Sequence, residues 1–307
     1  MNNRHGFLYE LRKNKSLFVM ILPAMLFFLV FSYIPIAGIY LAFTNFNFAD
    51  GFWKSPFCGL ANFKFLFSSG TALNITKNTL LYNVAFIVFG SATAILAAIF
   101  LSEIKGKYFK KITQSVMFLP YFISFVLVAA FVYNIFNYDF GTLNAILKSL
   151  GKEPVNVYDE VKAWKYIIVA LHVWKQLGYG TVIYLAAITG IDESIFEAAV
   201  IDGADIFQKI RHITIPHIIP TFVLILIFNV GSIMRGQFDL FYNIIGSNSV
   251  LYDVTDIIDT YVYRSLVVNF DMGMASAAGV YQSVVGLVIV LSFNAFIRKI
   301  QPEYALF

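Results

Sequence analysis

Six long stretches of the chain are almost uninterrupted in apolar character: about residues 16–43, 78–102, 112–136, 164–189, 217–243 and 274–297. Each exceeds the roughly 20 residues that, at 1.5 Å rise apiece, cross a hydrocarbon core of about 30 Å. None shows the alternating polarity of outer-membrane β-strands. The pattern predicts an all-α integral membrane protein of six transmembrane helices forming one domain over 1–307, with no soluble domain in any loop. Between the runs, Leu60, Phe63, Leu66 and Phe67 gather near one face and predict a short helix docked at the membrane interface. Leu143, Ile146, Leu147 and Leu150 follow i, i+3, i+4, i+7 spacing and predict a second short helix, ended by Gly151. In the sixth run Ala275, Gly279 and Ser283 recur every four positions, a spacing that lets helices approach closely in lipid.

The chain is 59% hydrophobic and 13% charged, with a mean hydropathy of +0.73, well beyond the roughly 45–50% apolar content of soluble domains. The first run is too long for the core of a cleaved signal peptide and reads as a retained first helix. The net charge of +4 is spread between apolar runs rather than clustered on a face, which argues against nucleic acid and for a lipid environment. Twelve of the 22 basic residues fall in the N-terminus, the loops after the second and fourth runs, and the C-terminus: Arg4, Arg12, Lys13, Lys15, Lys105, Lys107, Lys110, Lys111, Lys209, Arg211, Arg298 and Lys299. The positive-inside rule then predicts both termini in the cytoplasm of a multi-pass membrane protein. Cys58 is the only cysteine, so no internal disulfide forms.

Polar groups within spans are costly and usually face a cavity or a partner. Lys175 in the fourth run and Arg235, Gln237 and Asp239 in the fifth are the clearest cases, with Trp174, Gln176, Tyr179, Asn229, Phe238 and Tyr242 near them in sequence. Aromatic faces and amides of this kind suit stacking on sugar rings and bonding hydroxyls. Two readings are open: a substrate path, or interhelical hydrogen bonding with an Arg235–Asp239 pair at i, i+4. Tyr281 and Gln282 of the sixth run divide between cavity lining and packing. His172 reads as a structural hydrogen-bonding residue, and His212 and His217, five apart across Pro216, lack the one-face geometry of a metal site, so no metal is expected.

The segment 191–216, cytoplasmic by the charge argument, is the most informative. Asp192 can cap a helix carrying Glu193 in its first turn, Gly203 permits a sharp turn, and Pro216 disfavours continuation and marks entry into the fifth span. Glu197-Ala198-Ala199, then Asp202-Gly203, and Ile213 and Ile215-Pro216 nine residues later, together resemble the EAA loop of ABC importer permeases; only Ile215, where the family has Leu, departs. Gly59-Leu-x-Asn-Phe63, Gly141-Thr-Leu-Asn144, Asp259 to Arg264, Ala275 to Gly279 and the tail Glu303-Tyr-Ala-Leu-Phe307 resemble the carbohydrate-type permeases of the LplB-like, complex-oligosaccharide branch. The resemblance implies a type I importer permease fold, with 191–216 as the coupling helix that docks in a cleft of an ATPase. It further implies a heterodimer with a second, different permease, two ATP-binding subunits and an extracellular or periplasmic solute-binding protein.

The chain contains no Gly-x4-Gly-Lys-Ser/Thr motif, so ATP and Mg²⁺ are expected on the partner ATPase, with no cofactor in this chain and no catalysis by it. An ABC permease for another solute and an ion-coupled secondary transporter are the competing readings. The latter would show inverted repeats and would leave the coupling segment without a role.

Overall fold

A computed structural model describes Tyr9, residues 13–300 and residues 302–304. Arg4, Arg12 and Ala305 to Phe307, used above for topology and resemblance, lie outside the described residues. The principal helices are α1 (Lys15–Phe43), α2 (Ala61–Ser68), α3 (Thr71–Glu103), α4 (Lys107–Phe122), α5 (Phe125–Phe136), α6 (Thr142–Ser149), α7 (Val161–Thr189), α8 (Glu193–Ile201), α9 (Ile206–Gly231), α10 (Phe238–Ile245), α11 (Ile258–Tyr263) and α12 (Met272–Ile300). The described chain is almost entirely helical, as hydrocarbon requires of a backbone that must satisfy its own hydrogen bonds. Helices α1, α3, α9 and α12 are long and apolar enough to span a membrane, and the α4–α5 pair joins them if its two limbs count as one span. Helix α7 matches them in length with 29 residues but carries His172, Lys175 and Gln176 at its middle, so it falls short of them in apolarity.

Helices α3 and α7 run side by side as the central pair, α4 crosses α7, and α10 lies against α5. Close approach is built on glycine. A Cβ on Gly178 would meet the backbone of Met117 and Phe118 on α4, and one on Gly180 would come within 2.9 Å of Ala94 on α3. One core around Tyr82, Phe86, Trp164, Ile168 and Phe241 joins α3, α7 and α10, and a second around Ala98, Tyr184, Leu185 and Ile218 joins α3, α7 and α9. Apart from half-buried Phe18, the apolar side chains of α1 up to Phe31 lie open to lipid or to another chain.

Both expected surface helices form, as α2 and α6. Helix α2 does more than lie at an interface: Leu66 is buried against Met274 and Ala278 of α12. The asparagine of each loop signature is a clamp. Asn62 donates through Nδ2 to the carbonyls of Ala42 and Thr44, both at 3.0 Å. Asn144 donates to Tyr138 O and Val155 O and accepts from Val155 N at 2.8 Å. In α12, Ala275 is buried, whereas Ser283 is exposed and Gly279 has open space above it, so the every-fourth-residue stripe is only partly used within this chain.

Two of the apolar runs are not single helices. The run 112–136 breaks at Ile123 and Ser124, both extended, and α4 and α5 meet at 94°. Ser124 caps the start of α5, accepting from Leu127 N. The carbonyls at the end of α4 are met by Lys175, Pro120 O accepting also from Ile123 N at 3.2 Å. Its ammonium, 5% exposed, donates to Pro120 O at 3.1 Å, to Tyr121 O at 2.9 Å and to Ile123 O, with the Phe125 ring 4.9 Å away. A cation at a helix C-terminus also complements the helix dipole. The run 217–243 likewise ends early, at Gly231, and resumes as α10 after a turn over residues 232–237. At its other end α9 begins ten residues before Pro216. The wider π-turn Ile210–Thr214 makes room for the proline ring, so Pro216 does not break the helix.

Replacing Lys175 with Met should abolish three charge-assisted bonds worth about 1.5–3 kcal/mol each. The thermal unfolding midpoint of the detergent-purified protein, followed by tryptophan fluorescence, should fall clearly, and Gly178→Val should lower it as well. A Lys175→Met protein as stable as the parent would refute the clamp.

Candidate functional site

The turn over residues 232–237 is irregular backbone between two helices of a membrane protein, and it is held from three directions. Asn83 of α3 donates through Nδ2 to Arg235 O at 3.2 Å. Asp259 of α11 accepts from Gly236 N at 2.6 Å. Gln282 of α12 donates to Met234 O at 2.7 Å and to Asp259 Oδ2 at 3.3 Å. Gly236 is required because a Cβ there would collide with Ile257 and come within 2.9 Å of Asp259 Oδ2. The turn itself closes through Arg235 N donating to Ser232 O at 2.8 Å.

Cavities open on either side of this turn. One, about 160 Å³, is lined mainly by polar groups: Asn83, His172, Asn229, Ser232, Arg235 and Gln237, over Phe86 and Ile87. The other, about 420 Å³, runs between the turn and α12 along Ser232, Arg235, Gln282, Ser283 and Gly286. Ser232 and Arg235 border both. His172 is buried, stacks on Phe86 with ring centroids 3.8 Å apart, and its Nδ1 has no hydrogen-bond partner. Tertiary packing thus gathers Asn229, Arg235 and Gln237 at the first cavity and places Gln282 at the second.

The other candidates lie elsewhere. Lys175 is spent on the α4 bend. Tyr179 stacks on Tyr121 at 5.1 Å, Trp174 is exposed, and Gln176 is half-buried. Phe238 stacks on Tyr242 at 5.1 Å, and Tyr263 closes against both, its hydroxyl 3.3 Å from that of Tyr242. Tyr281 bonds Thr76 at 2.8 Å and meets the edge of Phe67, a packing position. Asp239 is exposed and forms no salt bridge with Arg235, because the two are not on one helix. Among the described residues the one salt bridge is Arg264–Asp256 at 2.5 Å, braced by the Tyr252 ring. Sequence reasoning passed over Asn83 and Ser232 and read His172 as structural; the available signal was a polar residue inside an apolar run.

The segment 191–216 has its own geometry. Asp192 accepts from Ser194 N at 3.0 Å and caps α8; that bond holds its carboxyl below the usual carboxylate range. At the other end Gly203 N donates to Val200 O and Ala204 N to Ala199 O at 2.9 Å, a Schellman closure with Gly203 at φ +79°. Asp205 and Gln208 then form a reciprocal capping box at the start of α9. Glu197, Ala198, Asp202, Ile215 and Pro216 are exposed, Ala199 is half-buried, and Ile213 is buried. Around them, Ile201 and Phe207 stand 85% and 78% exposed.

The polar cavity beside the turn makes a labelling prediction. In a Cys58→Ser background, Ser232→Cys should react with a hydrophilic maleimide, whereas Ile227→Cys, a buried position on the same helix, should not. Equal protection of both would contradict an aqueous cavity.

Residues 90–302 match the family model described as binding-protein-dependent transport system inner membrane component. Over 95% of its length the chain is 31% identical to the protein LplB of Bacillus subtilis, covering 92% of that relative. It is 32% identical over 98% of its length to the polygalacturonan/rhamnogalacturonan transport system permease protein YteP of the same organism, covering 93% of it. Among solved structures it is similar to a chain of a bacterial alginate ABC transporter in complex with alginate pentasaccharide-bound periplasmic protein, at 31% identity and a TM-score of 0.86, covering 96% of this chain and 98% of that one. The chain therefore belongs to the inner-membrane permease family of binding-protein-dependent ABC importers.

Proposed function

We propose that this chain is one of two permease subunits of an ATP-driven importer that brings oligosaccharide into the cell, with α7 and the bent α4–α5 pair completing six spans and both termini in the cytoplasm. Segment 191–216 carries the coupling half of this reading. It holds a short helix capped at both ends, is largely exposed, and presents Ile201 and Phe207 to solvent with none of the described residues covering them. Apolar side chains in that setting mark a docking surface for a partner. A nucleotide-binding subunit fits that role, holding the ATP and Mg²⁺ for which this chain has no phosphate-binding loop. Glu197 supplies a polar contact, and Gly203 sets the angle between α8 and α9. The two cavities flanking the 232–237 turn supply the path, with amides, hydroxyls and a guanidinium suited to hydrogen bonding with saccharides. The saccharide transporters among the relatives support the substrate class. Solute is handed over by a binding protein outside the cell, and a second permease completes the pathway.

ATP-driven closure of the ATPases would move α8, and α9, which follows it directly, would transmit that motion to the turn. An ion-coupled transporter would leave α8 without a partner. Purification of the tagged chain from native membranes, followed by mass spectrometry, should recover a Walker-motif ATPase and a second permease; recovery of the chain alone, still transporting in liposomes without ATP, would overturn the reading. At Gly203 the space is open but φ is left-handed, so the constraint is conformational. Gly203→Val should therefore strain the turn by roughly 1–2 kcal/mol and reduce uptake per ATP hydrolysed severalfold, with Gly203→Asn milder. Unaltered coupling in both variants would count against the assignment.

A further inference from the structure

We propose that Arg235 makes this pathway selective for an anionic, carboxylate-bearing oligosaccharide; the inference rests on the carbohydrate reading above. Two cations of the helical body are matched, Lys175 by three carbonyls and Arg264 by Asp256, whereas Arg235 is exposed in this chain at the rim of both cavities. Arg235 forms no salt bridge among the described residues. Asp259 is within electrostatic reach of it, but Asp259 Oδ2 is already engaged by Gly236 N and the Gln282 amide. Asp239 is exposed and unpaired with it.

The backbone of Arg235 is fixed on both sides, its N–H by Ser232 O and its carbonyl by Asn83, so the side chain projects from a rigid mount. It borders both cavities, and no carboxylate lines either. The neutral groups around it, Asn229, Ser232 and Gln237, offer hydrogen bonds to hydroxyls. A permanently charged planar guanidinium among such groups matches a carboxylate bidentately in a way that a neutral sugar cannot use. A uronate-type residue supplies that carboxylate on a ring whose hydroxyls use the remaining donors and acceptors.

The test is uptake into proteoliposomes by the co-purified assembly with its binding protein, using tetragalacturonate and its fully methyl-esterified, uncharged form. The parent should import the acid in preference to the ester. Arg235→Gln should lower uptake of the acid at least tenfold more than it lowers uptake of the ester, and Arg235→Lys should recover most of the difference. Equal losses for both forms, or a Lys variant no better than Gln, would mean that Arg235 is structural or pairs with the second permease, and would overturn the inference. Import of the ester as fast as the acid by the parent would overturn it while leaving the carbohydrate reading intact. Import of neither of these nor of any neutral oligosaccharide would overturn both.

Discussion

A backbone carbonyl or amide left without a partner in hydrocarbon costs several kcal/mol, so each interruption of a helix in this chain has to be met by other groups of the protein. The two breaks, and the proline that α9 runs through unbroken, are met in three ways. At Ile123 an ammonium from α7 gathers the loose carbonyls. At residues 232–237 three neutral or acidic side chains from α3, α11 and α12 divide the amides and carbonyls of the turn among them. At Pro216 no outside group is needed, because the π-turn before it shifts the register, and His217 Nδ1 lies 2.6 Å from Ile213 O. The arrangement of α4, α5, α7 and α10 follows from the first of these, and the position of the cavities from the second.

The same accounting separates two cations that look alike in sequence. Lys175 and Arg235 both interrupt apolar runs, yet one is consumed in holding a bend and the other faces open space. A flexible stem ending in three rotatable donors can reach three carbonyls at once, whereas the guanidinium is a fixed fork suited to a planar anion.

Apolar run length alone located most of the membrane helices, since Thr71–Glu103 and Met272–Ile300 enclose their expected runs. In segment 191–216 the two local determinants were legible, a cap at Asp192 and a left-handed glycine at 203, whereas the continuation of α9 through Pro216 was not. The breaks were not legible. Hydropathy does not distinguish a helix from two limbs at a right angle, and what stabilises the bend at Ile123 is a lysine about fifty residues away in sequence. The expected Arg235–Asp239 pair failed for the same reason, as it presumed helix where tertiary contacts with Asp259 and Gln282 impose a turn. Asn83 and His172 reach the cavity only through the packing of α3 on α7.

Helix α9 has a mechanical consequence. It is 26 residues long, about 40 Å, with the exposed helix α8 just before one end and the polar turn just beyond the other. A rod of that length is a lever: tilting it by about ten degrees displaces its far end by about 7 Å, more than the width of a sugar ring. In the proposed importer the π-turn Ile210–Thr214 is the compliant part of that shaft, so the stiffness of these five residues would set how much of a partner's stroke arrives at the cavity.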